Sequence, residues 1–159
     1  MIIGIDLGTT FSVIAVNGKV KLMDGYPEAY YVERCDVSII PDPGGNLIIP
    51  SAVCEDPANP GKFIVGAAAK ETAAAGFSPV VFSKRDIGTN VMHSLGDKKY
   101  SAREVAKIIL AYLKDLADYW RTVSNLRGPG TGTLPFRDLN DSGFKVEASA
   151  MALPKTVQV

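Results

Sequence analysis

No stretch of this 159-residue sequence stays apolar for the roughly 20 residues that a helix needs to cross a bilayer. The first residues carry no Lys or Arg ahead of their apolar run and no clear cleavage site, so the N-terminus is not read as a secretory signal. Charge of one sign is missing as well. Seventeen basic residues balance seventeen acidic ones, which leaves no electrostatic case for nucleic acid or an anionic membrane surface as partner. There are only two cysteines, Cys35 and Cys54, with no C-x-x-C spacing. They predict two free, buried thiols in a reducing cytoplasm, in preference to a disulfide or a metal site. Histidine occurs once. His93 sits in a polar stretch between Gly88 and Gly96, with nothing beside it to complete a metal set or a nucleophilic pair, so a surface histidine is expected. Internal repeats are absent too. What remains, 47% hydrophobic and 21% charged, is the composition of a globular domain, or of part of a larger one.

The N-terminus supplies the first structure. Ile2 to Leu7 and Phe11 to Val16 are short runs rich in β-branched residues, separated by Gly8-Thr9-Thr10, and they predict a buried β-hairpin. Asn17-Gly18 is a tight-turn pair, after which Lys19 to Met23 can return as a third strand or extend this ribbon. Val37 to Ile40 is another strand, stopped by the turn formers Pro41 to Asn46. Leu47 to Cys54 is strand-like with a break at Pro50. The stretch from Gly66 to Ala75 favours helix, and Gly76 is placed to end it. Ser101-Ala102-Arg103-Glu104 is a capping box. Beyond it Val105, Ile108, Ile109, Tyr112, Leu113, Leu116 and Trp120 recur at helical spacing, predicting a long helix with one face packed on a sheet. Strands followed by helices make this an α/β unit. After about residue 122 the signal fades. Gly128 to Thr133 reads as a break, and Phe144 to Val146 and Thr156 to Val159 as weak strands at most.

One residue breaks the first apolar run. Desolvating a charge is costly without a partner, so Asp6 must lie at the strand end or face something that favours a negative charge. A strand–Asp–x–Gly–Thr–Thr–strand turn offers a specific chemistry. Gly8 leaves no side chain in the way of a ligand, and consecutive amides in such a turn can converge on anionic oxygens. The Thr9 and Thr10 hydroxyls add donors. Asp6 would repel a bare phosphate, but it suits a hydrated Mg²⁺ placed between them. This is not a P-loop, because no G-x-x-x-x-G-K-[ST] is present and the turn leads into a strand. A plain hairpin whose Asp accepts turn amides is the competing reading.

The stretch GIDLGTTFS resembles the first phosphate motif of the actin-like ATPase superfamily. The segments that follow narrow the resemblance to the DnaK-type heat-shock chaperones. Ile39-Ile40-Pro41, Gly45-Asn46, Pro50-Ser51-Ala52-Val53, Val65-Gly66-Ala67-Ala68-Ala69-Lys70 and Phe82-Ser83-Lys84-Arg85-Asp86-Ile87-Gly88 stand in that family's order. Sugar kinases of the same superfamily lack this series. The resemblance covers roughly residues 1 to 120, with extra chain between Gly18 and Asp36. It implies a ribonuclease H-like (actin-type ATPase) lobe, an incomplete one, with a mixed sheet and packed helices. It further implies ATP and Mg²⁺ as cofactors, ATP hydrolysis coupled to binding and release of unfolded peptides, co-chaperone partners and a cytoplasmic setting. By the same resemblance Asp6 faces the metal through its water shell, Gly8, Thr9 and Thr10 hold phosphates, and Lys84 lies near the γ-phosphate as the catalytic cation. Arg85 is expected to support the site by ion pairing, and Phe11 to pack. Tyr30-Tyr31 is expected to pack within the inserted segment.

The departures from the family pattern matter equally. Its second phosphate motif, its adenosine motif, the further acidic residues of its metal site and its peptide-binding domain do not follow. Residues 1–122 therefore read as the N-terminal lobe, and residues 123–159 as a disordered or aberrant tail, from truncation or a shifted reading frame, in preference to a degraded echo of the family at Pro135-Phe136. The alternative to an ATP-dependent chaperone, or a fragment of one, is a non-catalytic remnant that keeps the lobe fold without turnover.

Overall fold

The two apolar runs at the N-terminus form β1 (Ile3–Leu7) and β2 (Phe11–Asn17), joined antiparallel from Ile3 opposite Val16 to Leu7 opposite Ser12. The computed structural model describes residues 2–21, 26–122, 145–147 and 156–158. Side-chain alternation explains why the hairpin faces as it does. Ile14 and Val16 turn inward and are buried, and Ile3 and Leu7 pack beside them against the core. Gly4 and Asp6 belong to the opposite face and are exposed. The expected burial of the whole hairpin therefore holds for β2 and not for β1, whose three central residues are all exposed. Among the described residues β1 pairs with β2 alone, as the edge strand of its sheet.

β3 (Tyr30–Val32), β4 (Val37–Ile39) and β5 (Ile49–Pro50) complete that sheet in the order β1-β2-β4-β3, with β5 also on β2. The strand expected over Lys19 to Met23 does not form at Lys19–Lys21, and the rest of it lies outside the described residues. In β3, Tyr30 is exposed while the Tyr31 hydroxyl donates to Asp36 at 2.8 Å, so Tyr31 is tied into the segment it belongs to. Pro50 marks the break foreseen between Leu47 and Cys54. There the chain leaves the first sheet and enters a second as β6 (Ala52–Glu55), which pairs with β7 (Lys62–Val65). α1 (Ala67–Glu71) follows and tightens into a 3-10 turn over Thr72–Ala75. Gly76 closes it with φ 86°, the left-handed cap that glycine adopts without steric cost.

β8 (Val80–Val81) adds to β6, and a 3-10 turn over Ser83–Asp86 leads to a hairpin of β9 (Met92–Leu95) and β10 (Lys98–Ser101). α2 (Ala102–Thr122) begins from the capping box as foreseen. The Ser101 amide donates to Glu104 Oε2 at 2.7 Å, and the Glu104 amide donates back to Ser101 Oγ at 3.3 Å. All seven residues of its predicted apolar face are buried, none more than 3% exposed, against Ile14, Ile40, Val53, Phe63 and Val65 of both sheets. Trp120 anchors the far end by donating Nε1–H to the Pro41 carbonyl at 2.8 Å. The same helix buries Asp115, whose Oδ2 has no hydrogen-bond partner; desolvation pushes its carboxyl up to about 6.

The weak strands anticipated in the tail appear as β11 (Lys145–Glu147) and β12 (Thr156–Gln158), ordered β11-β12-β7-β6-β8 in the second sheet. The rest of the tail lies outside the described residues. The α/β class is as expected, and the mixed sheet takes the form, among the described strands, of antiparallel pairs alone. Cys54 is buried and free as expected, whereas Cys35 is free but exposed, because it ends a surface 3-10 turn. No described helix is long and apolar enough to cross a membrane.

Candidate functional site

The turn between β1 and β2 is held by steric closeness and by hydrogen bonds to its carbonyls. A Cβ built on Gly8 would stand 2.2 Å from the Phe11 carbonyl oxygen, closer than side chains tolerate. Gly8 does not adopt a positive φ. Its requirement is therefore one of space, not of unusual backbone angles. Ser51, at the crossing between the two sheets, clasps the turn from beneath. Its amide donates to the Thr10 carbonyl and its Oγ to the Gly8 carbonyl, each at 2.9 Å. Ser51 Oγ also lies 2.9 Å from Ser12 Oγ, and both serines are buried. Sequence reasoning passed over Ser12 and Ser51 as site residues. The signal for Ser51 was present in Pro50-Ser51-Ala52-Val53, a motif used only to recognise a family.

Asp6 lies one residue short of the end of β1, opposite Val13. It interrupts the apolar run without penalty because it sits on the outer face of an edge strand. Thr9 and Thr10 are half-buried at the turn. The outer face beside the turn also carries Phe11, 45% exposed, with the Lys70 ammonium 5.1 Å from its ring centroid. Phe11 thus serves less as core packing than as a platform for a cation.

Lys84 comes to this turn from 77 residues away, donating from Nζ to the Leu7 carbonyl. Two sequence segments with no local connection are thereby joined. The 3-10 turn that presents Lys84 starts from Phe82 in the left-handed region at φ 58°, a conformation costly for an aromatic residue. The Arg85 guanidinium lies 5.1 Å from the Phe82 ring centroid, so Arg85 steadies the turn by a cation–π contact rather than through the expected ion pair. The far side of the turn meets His93, whose Nε2 is 3.2 Å from Asp86 Oδ2. His93 is therefore not the free surface residue anticipated. It faces a carboxylate from strand β9.

Among the described residues no cluster of three or more His, Cys, Asp or Glu side chains is placed to hold a metal ion. A single exposed carboxylate beside the turn suits Mg²⁺ only where other oxygens and water complete its coordination.

Antiparallel sheets packed on one long helix, with a glycine-closed hairpin turn met by a distant lysine, make up a partial lobe of the actin-like ATPase class. Curated relatives give the family. Over 118 residues, 74% of the chain, the sequence is 31% identical to the chaperone protein DnaK of Mycoplasmopsis synoviae. It is 34% identical over 117 residues to the DnaK proteins of Mycoplasma mobile and Metamycoplasma hominis. The chain belongs to the DnaK-type heat-shock chaperone family. It spans only 16–17% of the length of these relatives. No protein-family model matches it.

Proposed function

We propose that this chain is the phosphate-holding part of an ATP-binding molecular chaperone, in which ATP hydrolysis drives peptide binding and release when the remaining lobes are present. The observation that carries the reading is the Lys84 ammonium on the Leu7 carbonyl, at the mouth of the Gly8-Thr9-Thr10 turn. Gly8, Thr9 and Thr10 bind the terminal phosphates of the nucleotide. Asp6 faces a Mg²⁺ through its water shell, and that ion neutralises phosphate charge when bound. Lys84 stabilises the charge that develops on the γ-phosphate during transfer. ATP and ADP are the small-molecule partners, unfolded peptides and co-chaperones the macromolecular ones, and the cytoplasm the setting.

On this reading these residues supply one side of the nucleotide site. Transfer requires nucleotide, metal and water to be fixed from both sides, so half of such a site loses the orientation on which rate depends. The chain by itself is expected to bind Mg-ATP weakly and to show little or no turnover. Amide resonances of Gly8, Thr9 and Thr10 should shift on titration with Mg-ATP, less so with EDTA added, and less again in Lys84→Ala. Absence of any shift at millimolar nucleotide would refute phosphate binding at the turn. Tight binding by calorimetry, with steady turnover abolished in Lys84→Ala, would refute the half-site and show a complete one.

A further inference from the structure

Lys84 is exposed, and a long ammonium side chain on a surface turn is held no more firmly than the turn itself. Three things restrain that turn. α2 packs against it from within. Its own backbone closes it, with the Arg85 amide on the Phe82 carbonyl at 3.1 Å and the Thr89 amide on the Asp86 carbonyl at 3.0 Å. The third restraint is Asp86, which looks outward from the last position of the turn to His93 on the neighbouring hairpin.

The His93 side chain is 14% exposed and that of Asp86 32%, so the pair is partly withdrawn from water. Nε2 is buried and approaches the carboxylate at 3.2 Å without the alignment of a hydrogen bond, so the attraction is chiefly one of charge and dipole. The cation, or the tautomer protonated at Nε2, places partial positive charge beside the Asp86 carboxylate. β9 is itself fixed. Its partner β10 runs straight into the capping box of α2, and Leu95 at its end is 2% exposed. His93 is thus a rigid post and Asp86 the movable end tied to it.

We propose that His93 and Asp86 form a positioning pair for Lys84. By tying the turn over Ser83–Asp86 to the β9–β10 hairpin, they hold the ammonium over the Leu7 carbonyl, where the phosphate site begins. The proposal rests on the reading of Lys84 as the phosphate cation, yet it can be tested without nucleotide. The ammonium's accessibility to an amine-acylating reagent, read by mass spectrometry of the whole chain, reports how firmly it is held. His93→Phe keeps the ring and removes the N–H, while Asp86→Asn removes the charge. Each should raise Lys84 labelling by about fivefold, the factor that an ion pair at the upper end of the exposed range supplies. The double variant should rise no further than either single one, because the two side chains act as a unit.

His93→Gln, which restores an N–H donor, should recover part of the protection. Lys114 on α2 is the internal control and should label equally in all chains. If His93→Phe raises Lys114 labelling too, the fold has loosened, and Asp86→Asn, at the more exposed end of the pair, decides. Unchanged Lys84 labelling in Asp86→Asn would overturn the proposal, as would single effects that multiply in the double variant. Protection of Lys84 by Mg-ATP in the parent chain reads the nucleotide assignment separately. Its failure would leave the labelling pattern of the variants intact.

Discussion

Asp115→Asn should stabilise this protein, and more so as the pH rises. Asp115 lies on the buried side of α2, 6% exposed, with Oδ2 lacking any hydrogen-bond partner. Burial raises its carboxyl from 3.8 to about 6; neighbouring Lys114 works against that rise and Asp118 adds to it. The sign is the reverse of a salt-bridged carboxylate. Below about 3.8 the group is protonated in folded and unfolded chains alike, and no charge is buried. Between 3.8 and 6 the unfolded chain ionises first, so stability falls as pH rises, and above about 6 the whole cost is in place.

A gap of about two pH units at 1.36 kcal/mol each gives an upper value of ~3 kcal/mol. Water reaching the exposed edge of the side chain reduces this, so ~1–2 kcal/mol is expected to be recovered at pH 7.5. Asparagine keeps the shape and removes the charge, and it retains a buried amide that limits the gain at low pH. Urea unfolding of both chains, followed by fluorescence of the buried Trp120, gives the difference in stability at pH 4 and at pH 7.5. Other titrating groups cancel between the two chains. A difference that is the same at both pH values would refute the reasoning, because it would show that the charge on Asp115 carries no folding cost.

Gly8→Ala places a methyl 2.2 Å from the Phe11 carbonyl oxygen, so the turn must open; a loss of about 1–3 kcal/mol in urea unfolding is expected, together with loss of the Mg-ATP response at Thr9 and Thr10. Ser51→Ala removes the hydroxyl that donates to the Gly8 carbonyl and contacts Ser12, at a cost of about 1–3 kcal/mol, and hydrogen exchange at the Thr9 and Thr10 amides should quicken ahead of exchange in α2.

Local chemistry made much of this fold legible. The capping box at Ser101, the left-handed cap at Gly76, the apolar stripe of α2 and the break at Pro50 each depend on a few adjacent residues, and each stands where the sequence placed it. The β9–β10 hairpin was hidden by polarity, since Met92, Ser94, Lys98 and Lys99 face outward and leave no alternation to read. A cue did exist in Gly96-Asp97, a two-residue loop whose glycine takes φ 59°, but a single turn dipeptide followed by two lysines carries little weight. β7 was missed for a related reason, being four residues long and directly ahead of a helix-like segment.

Asp6, Gly8, Thr9, Thr10 and Lys84 were singled out through motif order, and the structure brings the Lys84 ammonium to the Leu7 carbonyl beside that turn. The contacts of Ser51 with Gly8, Lys70 with Phe11 and His93 with Asp86 span 43, 59 and 7 residues and are made only once the sheets have formed. The exposure of β1 was equally beyond local reasoning. An apolar pattern says that a strand can be buried, whereas burial itself depends on what covers it.

That exposure bears on function. Asp6 and Phe11, with Lys70 over its ring, lie on the open face of the first sheet, away from the core that α2 closes, and the exposed Lys84 ammonium reaches the edge strand beside them. In that position each charge is solvated, and an interaction between unit charges at contact is worth about 1 kcal/mol in water against several in a partly enclosed site. Ser51, the steric closure at Gly8 and the Asp86–His93 pair rigidify the donors but cannot exclude water from them. A second wall would strengthen the electrostatics without moving any of these residues, because they are already held from behind. On the proposed reading, the described residues hold the phosphate donors from behind but do not enclose them. Its affinity for Mg-ATP should therefore be limited by solvent screening rather than by misplacement of its own side chains.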